Sequence, residues 1–82
     1  MVTVCFSDAF RKKVSRISDI ALKTRIKKQI HKITNNQELG KPMRYSRKGT
    51  RELYIPPFRL SYLYNGNEDK LILLELYHKK KQ

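Results

Sequence analysis

GKPMRYSRKGTRELYIPPFRLSYLYNGNEDKLILLELYHKKK, residues 40–81, decides how this chain folds. RELYI, residues 51–55, alternates Leu53 and Ile55 with Glu52 and Tyr54, the pattern of a half-buried strand. Pro56-Pro57 ends it, because proline brings no N–H to a ladder. In residues 58–64, Phe58, Leu60, Tyr62 and Tyr64 fall on one face and Arg59, Ser61 and Leu63 on the other. Asn65-Gly66-Asn67 is a hairpin turn. KLILLELY, residues 70–77, is the most continuous apolar run and reads as a central strand covered on one side by helices. Upstream, Gly40 permits a tight turn and Pro42 fixes the direction in which the chain leaves it. Residues 45–48 are expected to form a short strand, broken at Gly49-Thr50. The basic tail, residues 78–82, is expected to fray.

Outward from this meander lies the amino-terminal half. VTVCF, residues 2–6, is a strand by composition, with Cys5 as a small buried hydrophobe. Ser7-Asp8 supplies a helix start, after which Phe10, Val14 and Ile17 form one apolar stripe. Ser18-Asp19 repeats the start signal. Leu22, Ile26, Ile30 and Ile33 then line one face of a second helix, and Lys23, Arg25, Lys27, Lys28 and Lys32 fill the other as a solvated face. Thr34-Asn35-Asn36 stops it, since these side chains compete for backbone bonds. The expected fold is α+β over a single domain, residues 1–82: an amino-terminal strand and a helical hairpin packed on one face of a mostly antiparallel, twisted sheet, in the order β-α-α-β-β-β(-β). The opposite, concave face is left for function.

Nineteen Lys and Arg against seven Asp and Glu give a formal net charge of +12. That excess steers the protein toward polyanions, nucleic acid first and an acidic protein second. In residues 40–81 the cations between and beside the strands include Lys41, Arg44, Arg47, Lys48, Arg51, Arg59, Lys79, Lys80 and Lys81, beside His78, opposed by Glu52, Glu68, Asp69 and Glu75. The expected sheet carries cations on one side and apolar residues on the other. No apolar stretch suits a membrane, no leader precedes the first strand, and a lone cysteine fits a reducing compartment, so a cytoplasmic protein is expected. There is no phosphate-binding glycine loop, no Cys/His cluster and no carboxylate pair for magnesium, so neither cofactor nor metal is expected.

What remains is cationic chemistry. Cleaving RNA requires activation of a 2′-OH, neutralisation of charge on the phosphorane and protonation of the leaving 5′-oxygen. Arginine suits the second task, because its planar fork pairs with phosphate oxygens and stays charged. Arg59 sits mid-strand among apolar residues, where an unpaired guanidinium is costly. Two readings of it stay open: a pair with an acid such as Glu75 or Glu52, or a polar cleft. His78, beside a lysine run, is either an acid–base group or an exposed terminal histidine. Tyr45, Tyr54, Tyr62 and Tyr64 are candidates for stacking on bases, with core packing the stronger role for Tyr62 and Tyr64.

Over nearly its whole length the chain resembles the RelE/ParE toxin superfamily. Gly40-Lys41-Pro42-Met43-Arg44 is similar to that family's G-K-P-L-R loop. LYIPPFRLSY, residues 53–62, is similar to its L-R-V-G-D-Y-R-V-x-Y hairpin, with Pro56-Pro57 in place of Gly-Asp. LELYHKK, residues 74–80, resembles its final strand followed by G-H-R-K, with Lys79 in place of arginine. Glu52 and Tyr54 stand where family members often carry cations. The resemblance implies a metal-independent ribonuclease that cuts mRNA in the ribosomal A site by 2′-OH attack, and an acidic antitoxin that wraps it. It implies catalytic roles for Arg59, His78, Lys79 and Arg44; Lys41, Arg47, Lys48, Arg51, Tyr54, Lys80 and Lys81 are expected, as the cations and the aromatic ring around them, to bind the RNA. This ribonuclease reading requires Arg59 and the basic carboxy end to converge in one groove, and requires that Arg59 not be buried in an internal ion pair. Its alternatives are a ParE-like inhibitor of DNA gyrase with the same fold, and a basic nucleic-acid-binding module without catalysis.

Overall fold

The computed structural model describes residues 2–43 and 49–78. Seven elements succeed one another along the chain: β1 (Thr3–Phe6), α1 (Asp8–Ser15), α2 (Ile20–Asn35), β2 (Lys41–Pro42), β3 (Arg51–Ile55), β4 (Phe58–Asn65) and β5 (Lys70–His78). Both helix starts are built as their residue types dictate. The Ser7 hydroxyl accepts the Phe10 N–H at 3.0 Å, and the Asp19 carboxylate accepts those of Ala21 and Leu22 at 2.9 and 3.2 Å. α1 stops at Ser15, so Ile17 belongs to the turn between the helices and still packs against the core.

The five strands form one sheet in the order β1-β5-β4-β3-β2. β1 runs parallel to β5, and every other pair is antiparallel. The helical hairpin covers one face. Phe10, Leu22, Ile26 and Ile33 from the helices meet Ile55, Leu60, Tyr62, Leu71, Leu73 and Leu76 from the sheet in one buried cluster. Each such side chain removed from water contributes about 1.5–3 kcal/mol. The expected architecture is therefore the observed one. The expected strand at residues 45–48 lies outside the described residues. The edge strand that is seen, β2, comes earlier, at Lys41–Pro42, where a proline needs no ladder partner for its nitrogen.

One irregularity sets which side chains share a face. Ser61 pairs with Glu75, but Tyr62 pairs with Leu73, so Leu74 is an extra residue in β5. Strict alternation from Leu71 and Leu73 would drive Glu75 into the core. The bulge shifts the phase instead: Leu76 is buried and Glu75 is exposed. Ser7 closes the bulge, its N–H donating to the Leu73 carbonyl at 3.0 Å and its hydroxyl to the Leu74 carbonyl.

Candidate functional site

The face without helices is read from the pairing register. Directly opposed residues point to the same side of a sheet. Across β3 and β4, Glu52 opposes Ser61 and Tyr54 opposes Arg59; across β4 and β5, Ser61 opposes Glu75 and Arg59 opposes Tyr77. At the β2 edge Lys41 opposes Glu52. These residues lie on the open face, and a cleft of about 370 Å³ is lined there by Lys41, Glu52, Tyr54 and Arg59 together with Leu39, Gly40 and Leu53.

At its centre the Arg59 Nη1 donates to Glu52 Oε1 at 2.6 Å, a charge-assisted bond. Both open readings of Arg59 hold together: it faces a cleft, and it is paired with Glu52, while Glu75 is exposed and is not its partner. The Glu52 side chain is 12% exposed and that of Arg59 28%. The second carboxylate oxygen, Glu52 Oε2, and the Arg59 Nε are buried without hydrogen-bond partners. Buried polar atoms of this kind are rare in folded proteins and mark strain, function or a bound group.

The loop before β2 is fastened from below. The Tyr62 hydroxyl donates to the Gln37 carbonyl at 2.9 Å and accepts the Gly40 N–H at 2.8 Å. Arg51 Nη1 donates to the Gly40 carbonyl at 2.7 Å. Burial raises the Tyr62 phenol above its ordinary pKa, and the Gly40 bond and the Arg51 charge pull the other way.

The fold separates the candidates that the sequence put forward. Arg59, Lys41 and Tyr54 share the cleft, and Tyr54 is 51% exposed. Arg51, by contrast, lies on the side of Tyr62 and is bonded to the Gly40 carbonyl, so it fastens the loop rather than lining the cleft. His78 is a second correction. It opposes Phe58, on the helix-covered side of the sheet, with the two rings edge-on at 5.9 Å, whereas Arg59 is on the other side. The expected convergence of Arg59 and the basic carboxy end therefore fails for His78, because the Leu74 bulge reverses the phase between them. The rest of that end, residues 79–81, is not among the described residues, and Arg59, though paired, keeps part of its side chain exposed at the cleft. Arg44, Arg47, Lys48, Lys79, Lys80 and Lys81 lie outside the described residues. Sequence reasoning named Glu52 as one acid that could pair with Arg59, but gave it no place in the chemistry. Counting back across a two-residue turn from Ile55 and Phe58 places it on the face of Arg59, so the signal was present. Among the described residues, no group of three or more His, Cys, Asp or Glu side chains could hold a metal ion, and no helix is long and apolar enough to cross a membrane.

The same arrangement of helices and strands recurs in solved toxins. The RelBE2 toxin–antitoxin complex of Mycobacterium tuberculosis contains a chain with TM-score 0.81 and 20% identity, covering 95% of this chain and 98% of that one. The intact RelBE complex of E. coli contains one with TM-score 0.81 and 9% identity, over 95% and 96%. The YoeB/ParE toxin of Agrobacterium tumefaciens matches with TM-score 0.83 and 13% identity, over 94% and 98%. No curated protein matches by sequence. The two helices on a mixed five-stranded sheet are thus the RelE-like toxin fold. The family model for the ParE toxin of type II toxin–antitoxin systems, parDE, matches residues 4–82, and the chain belongs to that family.

Proposed function

We propose that this toxin is a ribosome-dependent endoribonuclease that arrests translation by cutting mRNA in the ribosomal A site, and that the Glu52–Arg59 pair is its centre. The observation that carries the reading is the pair's unfinished bonding: a buried carboxylate oxygen and a buried guanidinium N–H, both without partners, beside an open cleft. The Glu52 carboxylate, which lines the cleft, takes the proton of a 2′-OH. The freed oxygen attacks the adjacent phosphorus, and the P–O5′ bond breaks, giving a 2′,3′-cyclic phosphate and a 5′-OH. Arg59 is already oriented where negative charge grows, so its attraction costs little reorganisation. Lys41, in register with Glu52, holds the phosphate, and Tyr54 offers a ring to a base. Lys79, at the family's arginine position, supplies the proton to the leaving 5′-oxygen, with Arg44 of the Gly-Lys-Pro loop as a further catalytic cation; Arg47, Lys48, Lys80 and Lys81 hold the RNA, and His78, turned to the other face of the sheet, has no part in the reaction. An acidic antitoxin is the protein partner; related chains were solved within toxin–antitoxin complexes.

The test is a translation extract programmed with a defined mRNA. Wild-type toxin is expected to cut within codons only when ribosomes are present. Glu52→Gln, which keeps an acceptor for Arg59 but cannot take the proton, should slow cutting by about 10²-fold or more.

A second reading, inhibition of DNA gyrase, is favoured by the ParE family match and by a guanidinium already committed to Glu52. A supercoiling assay separates the two. Blocked supercoiling with intact mRNA would move the conclusion to gyrase.

A further inference from the structure

β2 is too short to hold itself. It pairs over two residues only, and one of them is Pro42, which has no N–H to give. Yet Lys41 is held opposite Glu52 at the mouth of the cleft. The restraint comes from underneath. The Tyr62 ring is fully buried, and its hydroxyl bonds both ends of the loop, at the Gln37 carbonyl and the Gly40 N–H. The approach is so close that a Cβ on Gly40 would lie 2.8 Å from the Glu52 carbonyl oxygen and 2.8 Å from the Tyr62 hydroxyl. Lys41 is the next residue along the chain.

We infer that Tyr62 is a positioning residue: its hydroxyl ties the 37–40 loop to the sheet and thereby holds Lys41 opposite Glu52 at the cleft, where its ammonium grips an RNA phosphate. The inference rests on the reading of the cleft as an RNA site. A core tyrosine of this kind touches no substrate, so its effect is transmitted wholly through the loop.

The test measures binding of a short, non-cleavable 2′-O-methyl single-stranded RNA by fluorescence anisotropy across a salt series. Each phosphate contact contributes about 0.7 to the slope of log K against log salt for a single strand. Lys41→Ala should lower the slope by about that amount. Tyr62→Phe, which removes no charge, should lower it equally, and the double variant should fall no further than Lys41→Ala alone. A Tyr62→Phe slope equal to wild type, or a double variant in which the losses add, would overturn the inference. An unchanged Lys41→Ala slope would overturn it too, by removing the phosphate grip. Should wild-type toxin bind no RNA, the RNA reading of the cleft itself fails, and the inference with it. If circular dichroism shows that Tyr62→Phe does not fold, Gly40→Ala takes its place: it displaces the same loop from the other side, and a wild-type slope there is equally fatal.

Discussion

Glu52 and Arg59 are held by one another, and each is exposed to a different loss when its partner goes. Arg59→Ala leaves a carboxylate that is 12% exposed without its cation, and a stranded buried acceptor costs about 1–3 kcal/mol. Glu52→Gln leaves Arg59 an amide oxygen to bond. The expected ranking in urea melts is therefore wild type, then Glu52→Gln, then Arg59→Ala, with both variants strongly impaired in mRNA cleavage. Equal stability of Arg59→Ala and wild type would mean that the pair is a loose surface contact. The sequence exposed Arg59, because a cation among apolar residues is conspicuous. It offered Glu52 and Glu75 alike as partners and could not choose between them, because an acid alternating with Leu53 looks like any solvent-facing strand residue. Only two-strand register brings the two together: Tyr54 opposes Arg59, and Glu52 is two residues away on the same face.

At the scale of the element, β5 is where sequence reading lost its footing. Counting from the Asn65–Lys70 pair without a bulge sets Leu76 opposite Arg59, which would put His78 on the face of Arg59. The extra residue at Leu74 moves Tyr77 opposite Arg59 and turns His78 to Phe58. A run as apolar as LILL carries no alternation from which a phase change could be read. The strands, turns and helix starts were legible because each has its own period or stop signal; the bulge has neither. Its partner lies far away in sequence, at Ser7, which caps α1 and also donates to the Leu74 carbonyl. Ser7→Ala should thus cost more than the plain cap variant Asp19→Ala, itself worth about 1 kcal/mol. In a domain of this size, each kcal/mol lowers Tm by about 4–8 °C. Thermal melts that rank Asp19→Ala as the more damaging would show that Ser7 does not support the bulge.

Taken as a whole, the molecule carries cations on both sides, on the solvated face of the second helix as well as at the cleft of the sheet. Arg25, Lys27, Lys28 and Lys32 are exposed on α2, over the helix-covered face, while Lys41 and Arg59 line the cleft on the other. The chain carries a formal net charge of +12, and the fold measures only 35 × 30 × 21 Å along its principal axes. The Debye length is about 30 Å at 0.01 M ionic strength, so at low salt every charge feels nearly every other and the folded state is strained by self-repulsion. At 0.15 M it is about 8 Å, and only neighbours repel. The isolated toxin is therefore expected to melt at rising temperature as sodium chloride goes from about 0.01 to 0.15 M, the range in which the screening length falls below the size of the molecule. Bound to an acidic antitoxin, which neutralises the same charges and adds binding free energy to the folded state, the toxin should melt higher and respond much less to salt. Calorimetry of the toxin alone and of the complex at both salt concentrations checks this. A free toxin whose Tm is indifferent to salt would mean that the described ion pairs, Arg59–Glu52, Arg51–Glu38 and Lys70–Glu68, already offset the repulsion within the fold. Charge neutralisation would then have to be given up as a reason for the partner to be acidic.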